Sequence, residues 1–352
     1  MDWIILNLIT NKRNNKLIYG FLFGIIILDF LNDQIGFLNE KYLFIDFSLC
    51  AVGLLIIKGI LDYWYRNLYR KNQQILDNIN QLSRTGNYSK MIEQAQFVKI
   101  IKPQLSEKTY WTGFANVYLK KPQIALQEFD LIETDYQNFS GFFYHKGLAL
   151  IDSGNIEKSI EYLTRAVELE KTWQNFDQRG VAYMNIDKLN EAENDLRKSI
   201  ELKEESSNTC NLGVLLDKKG QHKEAFEFYN RSIEINSDNP NAFYNRALAN
   251  YYLENYQDSI TDNTKTIEFE SERHWAYYNR ALSKQKINKF ESAINDFDLA
   301  KKLGNNYNYL YLNRGFCKCE FGDISNGLID LKKAKELDCK EAKEQIKKYD
   351  KQ

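Results

Sequence analysis

The segment FYNRALAN at residues 243–250 returns as YYNRALSK at residues 277–284 and again as YLNRGFCK at residues 311–318. With the small residue of each as a landmark, Ala247, Ala281 and Gly315 stand 34 apart. Working back, FDQRGVAY, TCNLGVLL and FYHKGLAL place further landmarks at Gly180, Gly213 and Gly147, spaced by 33 or 34. YWTGFANV adds Gly113, and one more step reaches Ile79, a degenerate start followed by the turn Gly86-Asn87-Tyr88. About eight units result. Self-similarity at this period marks stacked supersecondary units rather than one globule.

Two further small-residue columns follow the landmarks, with Met91 departing from the first and Val98 and Ile132 from the second. Twelve positions on lie Ala125, Ser159, Ala192, Ala225, Ser259, Ala293 and Gly327. Seven beyond these lie Ala166, Ser199, Ser232, Thr266, Ala300 and Ala334. Small side chains let two helices approach closely where they cross. Turn signals such as Gly154-Asn155, Gly220-Gln221, Glu254-Asn255 and Gly322-Asp323 separate the first two columns. Each unit therefore reads helix, tight turn, helix. One hairpin cannot bury its apolar face, so neighbours must supply the core.

The period, the three small columns and an aromatic four before the landmark (Phe143, Phe176, Phe243, Tyr277, Tyr311) resemble the tetratricopeptide repeat family. Departures are the closing proline, present only as Pro103, and Thr109 and Thr209 in the aromatic column. The resemblance implies an all-α, right-handed superhelical solenoid over residues 72–337, a binding scaffold without catalysis. A charged helix over 338–352, with Ala342, Ile346 and Tyr349 on one face, is read as its cap.

Residues 1–71 differ in kind. The run LIYGFLFGIIIL from Leu17 to Leu28 has no charge, and apolar character recurs over 42–61. Helices at about 17–35 and 42–61 predict a two-helix transmembrane hairpin, since runs apolar on all sides belong in protein or lipid. Lys12, Arg13 and Lys16 before it and Arg66, Arg70 and Lys71 after it place both termini and the repeats in the cytoplasm by the positive-inside rule. The partners expected are thus a lipid bilayer and a protein or extended peptide. An alternative is an accessory subunit of a membrane transport or secretion assembly, acting through the hairpin.

Net charge is −1 over 352 residues, without the clustered Lys and Arg that nucleic acid requires. Five unevenly spaced cysteines make no disulfide framework. No cofactor is expected: His145, His222 and His274 are widely separated, Cys317 and Cys319 lack zinc spacing, and no Gly-rich phosphate loop occurs.

Two polar columns remain. Arg179, Arg246, Arg280 and Arg314 precede their landmarks, each with an Asp sixteen residues on: Asp195, Asp262, Asp296 and Asp330. Where Leu212 replaces Arg, Phe228 replaces Asp. The columns therefore read as structural ion pairs joining two helices of a hairpin. Asn211, Asn245, Asn279 and Asn313 stand two before the landmark, and no polar site is seen to vary in step with them. They are expected on the open inner face, where a carboxamide suits a peptide backbone. The arrangement is similar to the asparagine ladder in the tetratricopeptide domain of O-linked N-acetylglucosamine transferases. Tyr252, Trp275 and Tyr309 join them as groove residues. Only Lys218 and Lys286 add basic charge there, too few to grip a C-terminal carboxylate as chaperone-binding members of the family do.

Overall fold

A computed structural model describes residues 40–98 and 102–350, and every regular element among them is helical. Seventeen α-helices follow in order: α1 Glu40–Arg84, α2 Tyr88–Ala95, α3 Lys102–Tyr118, α4 Pro122–Ile132, α5 Ser140–Asp152, α6 Ile156–Leu169, α7 Trp173–Asn185, α8 Leu189–Leu202, α9 Ser206–Lys218, α10 His222–Ile235, α11 Pro240–Tyr252, α12 Tyr256–Phe269, α13 His274–Lys286, α14 Phe290–Lys302, α15 Asn308–Phe321, α16 Ile324–Glu336 and α17 Ala342–Tyr349. They form two units that divide between Asn155 and Ile156.

The first unit contains the hairpins α1–α2 and α3–α4, then α5. Leu76 and Ile79 of α1 are buried against Met91 and Ala95 of α2, with Val98 and Ala115, so Ile79 fills its landmark position as a core residue. The second unit begins with α6 and stacks the hairpins α7–α8 through α15–α16, with α17 at the end. Met184, Leu196, Leu212, Leu216 and Tyr229, with Ala242 and Ala249 of α11, make one continuous core across three hairpins. Tyr278, Phe297, Leu310 and Tyr311 make another, which reaches Ala342 of α17.

One backbone feature carries the period through both units. The residue seven after every landmark has positive φ: Gly86, Lys120, Gly154, Asp187, Gly220, Glu254, Asn288 and Gly322. The left-handed conformation reverses the chain between the two helices of a hairpin, and glycine holds it without steric cost at four of the eight positions. Helix starts are fixed locally too. Pro122 and Pro240 occupy first turns, where a missing N–H costs nothing, and the Asn239 side chain accepts from the N–H groups of Asn241 and Ala242.

The landmark glycines owe their size to what faces them. A Cβ on Gly213 would lie 2.6 Å from the Tyr229 ring, and one on Gly113 would lie 2.7 Å from the Phe129 ring. In both, the large side chain sixteen residues on fills the space.

Residues 42–61 correct the sequence reading. They belong to one 45-residue helix that continues through Arg66, Arg70 and Lys71 to Arg84. Lys58 and Asp62 are exposed on it, and from Asn72 onward it packs into the first hairpin. Among the described residues no helix is long and apolar enough to cross a membrane. This overturns the two-pass, cytoplasm-facing placement, and the described residues give no support to a bilayer partner or to a role through a transmembrane hairpin. The run expected at 17–35 lies outside the described residues.

Candidate functional site: the first-helix face of the second unit

The four Arg side chains each close a two-point bond on their Asp. Arg179 Nε and Nη2 donate to Asp195 at 2.6 and 2.8 Å, Arg246 to Asp262 at 2.9 and 2.6 Å, Arg280 to Asp296 at 2.8 and 2.7 Å, and Arg314 to Asp330 at 2.8 and 2.6 Å. Each guanidinium also lies 5.5–5.7 Å from the aromatic four before the landmark: Phe176, Phe243, Tyr277 or Tyr311. The third nitrogen reaches back to the preceding repeat, onto Thr164, Asn230, Thr264 or Asp298. A residue three after the landmark completes the cluster, with Asn250 on Asp262, Lys284 on Asp296 and Lys318 on Asp330. Where Arg is absent, Leu212 and Leu216 are fully buried instead, and Thr209 replaces the aromatic. Pairing within a hairpin is therefore one part of a larger polar cluster. Lys146 makes the backward contact too: its ammonium is buried between Asp130 and Glu133 of the preceding hairpin, at 2.6 and 2.7 Å.

The Asn column also has partners, contrary to the expectation that nothing polar varies with it. Asn211 Nδ2 donates to both Asp177 oxygens at 3.0 and 3.2 Å, and Asn245 Nδ2 meets Cys210 Sγ at 3.6 Å. Asn279 hydrogen-bonds the Tyr244 hydroxyl. Asn313 Nδ2 donates to the Tyr278 hydroxyl at 3.2 Å and to the Tyr309 carbonyl at 2.9 Å. Asp177, Cys210, Tyr244 and Tyr278 share one position, three before the landmark of the preceding repeat. In the first unit His145 takes the Asn position, and its Nδ1 lies 3.1 Å from the hydroxyl of Tyr110, which holds the equivalent site. Burial pushes the His145 pKa down to about 4, so the ring is neutral and structural. The signal was a polar column one residue out of line with the Asn column, shifted by one repeat.

These bonds orient the carboxamides. Asn211 must turn its amino group to a carboxylate and Asn313 must turn its own to a carbonyl, so the oxygen of each faces away from the neighbour. All four Asn are half-buried, and no carboxamide oxygen among them is buried without a partner. Beside this row, one turn on, run the half-buried Val214, Leu248, Leu282 and Phe316.

The aromatic candidates divide. Trp275 and Tyr309 stand at the N-terminal ends of α13 and α15, linked through Tyr307. Tyr252 stands at the C-terminal end of α11, where it stacks on His222 at 4.7 Å, and His222 is held by Asp217. Lys218 is neutralised by Asp187, while Lys286 is exposed. Among the described residues no group of His, Cys, Asp and Glu could hold a metal ion. Cys210 and Cys317 are buried, which pushes their thiols up to about 11 and about 12.

Asp177 is 2% exposed, and burial pushes its carboxyl up to about 6, with the Asn211 and Gln178 amides opposing. The folded value lies above the unfolded one, so the native state holds the extra proton between them. Stability contributed by this group is therefore greatest in acid and is lost as pH rises through about 6. Asp177→Asn keeps an acceptor for Asn211 without the charge. It is expected to raise stability at pH 7 by about 1–2 kcal/mol and to flatten the pH dependence of melting between pH 4 and 7. Equal melting curves at pH 7 would contradict a buried carboxylate here.

Residues 213–253 match a family model described as TPR repeat, and residues 140–172 and 175–206 match one described as tetratricopeptide repeat. The chain carries tetratricopeptide repeats. No curated protein matches it in sequence. Among solved structures, the tetratricopeptide-repeat (TPR) fold is similar to a chain of the APC/C hetero-tetramer Cut9–Hcn1, with TM-score 0.61 at 11% identity, covering 78% of this chain and 55% of that one. It is also similar to a TPR protein from Parabacteroides merdae, with TM-score 0.51 at 18% identity, covering 70% and 99%. A third is Pseudomonas aeruginosa pilF, with TM-score 0.52 at 16% identity, covering 56% and 91%. At these identities the likeness is one of fold.

Proposed function

We propose that the protein is a TPR scaffold that binds an extended segment of another protein along the first helices of its second unit. The observation that carries this is the Asn row. Four half-buried carboxamides in register each have a hydrogen-bond partner on the preceding repeat, which turns the oxygens of Asn211 and Asn313 away from that neighbour, and beside them runs a half-buried apolar row. Fixed acceptors one repeat apart suit backbone N–H donors, and the apolar row suits the side chains between them. The binding energy then comes from the main chain and from apolar contact rather than from one deep pocket.

The test uses peptides selected from a displayed random library on the full chain. Asn245→Ala with Asn279→Ala and Asn313→Ala is expected to weaken most of them at least tenfold, since each lost acceptor leaves a peptide donor unpaired at about 0.5–1.5 kcal/mol. The amides also join repeats, so stability should fall by about 1–2 kcal/mol, partly offset by the better helix propensity of Ala. Lys265→Ala with Glu268→Ala, an exposed ion pair on α12, is the control and should change neither. Unchanged affinity in the Asn variant would remove this face as the binding site.

A further inference from the structure

We infer that the C-terminal end of this face takes a cationic side chain, arginine above all, from the bound segment, so that the partner is a basic extended peptide. This rests on the binding face proposed above and adds the chemistry of its ligand.

The site is a row of aromatic rings that ends on a carboxylate. Trp275 is 41% exposed and Tyr307 is 52% exposed. Their centroids are 6.2 Å apart at 67°, and Tyr307 leads to Tyr309 at 5.5 Å and 34°. The Tyr309 hydroxyl donates to Glu341 Oε1 at 2.9 Å, and the Tyr309 carbonyl accepts from Asn313. Rings, carboxylate and the last Asn of the row are thus contiguous. The Glu341 carboxyl is held below its usual range by its own backbone N–H, the Tyr309 hydroxyl and the Cys339 thiol. Among the described residues no Lys or Arg forms an ion pair with it, whereas Glu320 and Glu336 nearby pair with Lys348 and Lys333.

Charge complementarity selects the occupant. An anion would meet Glu341 and the negative faces of the rings, and an apolar group would cover the rings but desolvate the carboxylate. A cation satisfies both, and a planar guanidinium can stack on a ring while donating to Glu341 and to the Asn313 oxygen. The chain fills the same edge one repeat earlier with its own guanidinium. Arg273 lies 4.2 Å above the Tyr244 ring and donates to Asn241 Oδ1 and Glu270 Oε2, both at 2.9 Å. The position 34 residues after Arg273 is Tyr307, so the final repeat supplies aromatic and acidic partners and leaves the cation to the ligand.

The probes are three fluorescent nine-residue Ser/Ala peptides with arginine, glutamate or norleucine at every third position, titrated on the full chain at about 0.1 M salt. The arginine peptide should bind about tenfold tighter than the norleucine peptide, and the glutamate peptide more weakly than both. Glu341→Gln keeps an acceptor for Tyr309, and Trp275→Phe keeps the packing. Each should remove most of the arginine preference while leaving the norleucine peptide within about twofold. Glu344→Gln, an exposed acid on α17, should leave the preference intact. The triple Asn variant should weaken all three peptides together. If it does so while the arginine preference is absent, or survives Glu341→Gln and Trp275→Phe, the binding face stands and this inference falls. A concentration-dependent dimer abolished by Trp275→Phe would assign the surface to a second copy and overturn it. Binding of none of the three peptides would overturn both readings.

Discussion

Gly327→Val is expected to destabilise the protein by about 3 kcal/mol or more and to open its C-terminal end. The landmark glycines Gly113, Gly180 and Gly213 face a Phe ring, a Leu side chain and a Tyr ring, but α15 and α16 cross glycine to glycine. A Cβ on Gly327 would meet Cys319 Sγ and the Gly315 carbonyl oxygen, the latter at 2.8 Å, and one on Gly315 would lie 2.9 Å from the Gly327 carbonyl. A carbonyl oxygen inside a helix has no rotamer to escape into, so the two helices must separate. Overpacking of this kind costs about 1–3 kcal/mol where side chains can yield, and more is expected where backbone must move. Separation also pulls Arg314 from Asp330 and uncovers the cap of α17. Because repeats hold only their neighbours, the loss should be local. Hydrogen exchange should speed over residues 308–349 and stay near wild type over 173–235. Gly213→Ala is the milder contrast: the obstacle is a side chain, the Tyr229 ring, rather than a carbonyl of the facing helix, and Ala returns about 1 kcal/mol of helix propensity. Wild-type melting of Gly327→Val would show that the close crossing is not needed.

The hairpins were legible because their determinants recur. A landmark, a small residue twelve on and a left-handed residue between them are local requirements of one geometry, and eight copies expose them in a single sequence. The Arg–Asp columns were legible for the same reason, since both partners lie in one repeat. Bonds between repeats were harder to read. Asn211 and Asp177 are 34 residues apart and occupy different positions of the period, so the Asn column looked unaccompanied until the register between neighbouring helices was known. Glu341 lies beyond the last repeat, and Tyr307 holds a position that is Arg273 one repeat earlier; neither belongs to a column of like residues. Over 42–61 hydropathy misled, because the apolar run is part of a helix that goes on through charged residues into the first hairpin. An average over about 20 residues does not register where a helix ends.

Arg280→Leu should cost roughly 2–4 kcal/mol, because it leaves Asp296, which is 3% exposed, with its charge only partly matched. Sequence alone suggests that copying the Leu212 repeat, by adding Asp296→Phe, should restore what is lost. The structure predicts otherwise. Asp296 also holds Lys284 at 2.7 Å, and that side chain is 17% exposed, so the double variant takes the carboxylate from Lys284 as well and leaves a half-buried ammonium with only the Ser292 carbonyl, at 3.4 Å. In the Leu212 repeat the site equivalent to Lys284 is Leu216, which is fully buried. Recovery therefore requires Arg280→Leu, Lys284→Leu and Asp296→Phe together. The triple variant should return most of the lost stability, since a well-packed apolar cluster can equal or exceed a buried ionic one. The double should remain at least about 1–2 kcal/mol below wild type. Thr264 loses its guanidinium donor in every variant, at a cost common to all three. Denaturant melts of the four proteins decide the matter: a double variant as stable as the triple would mean that Lys284 reaches solvent and that the cluster is the simple pair its sequence spacing suggests.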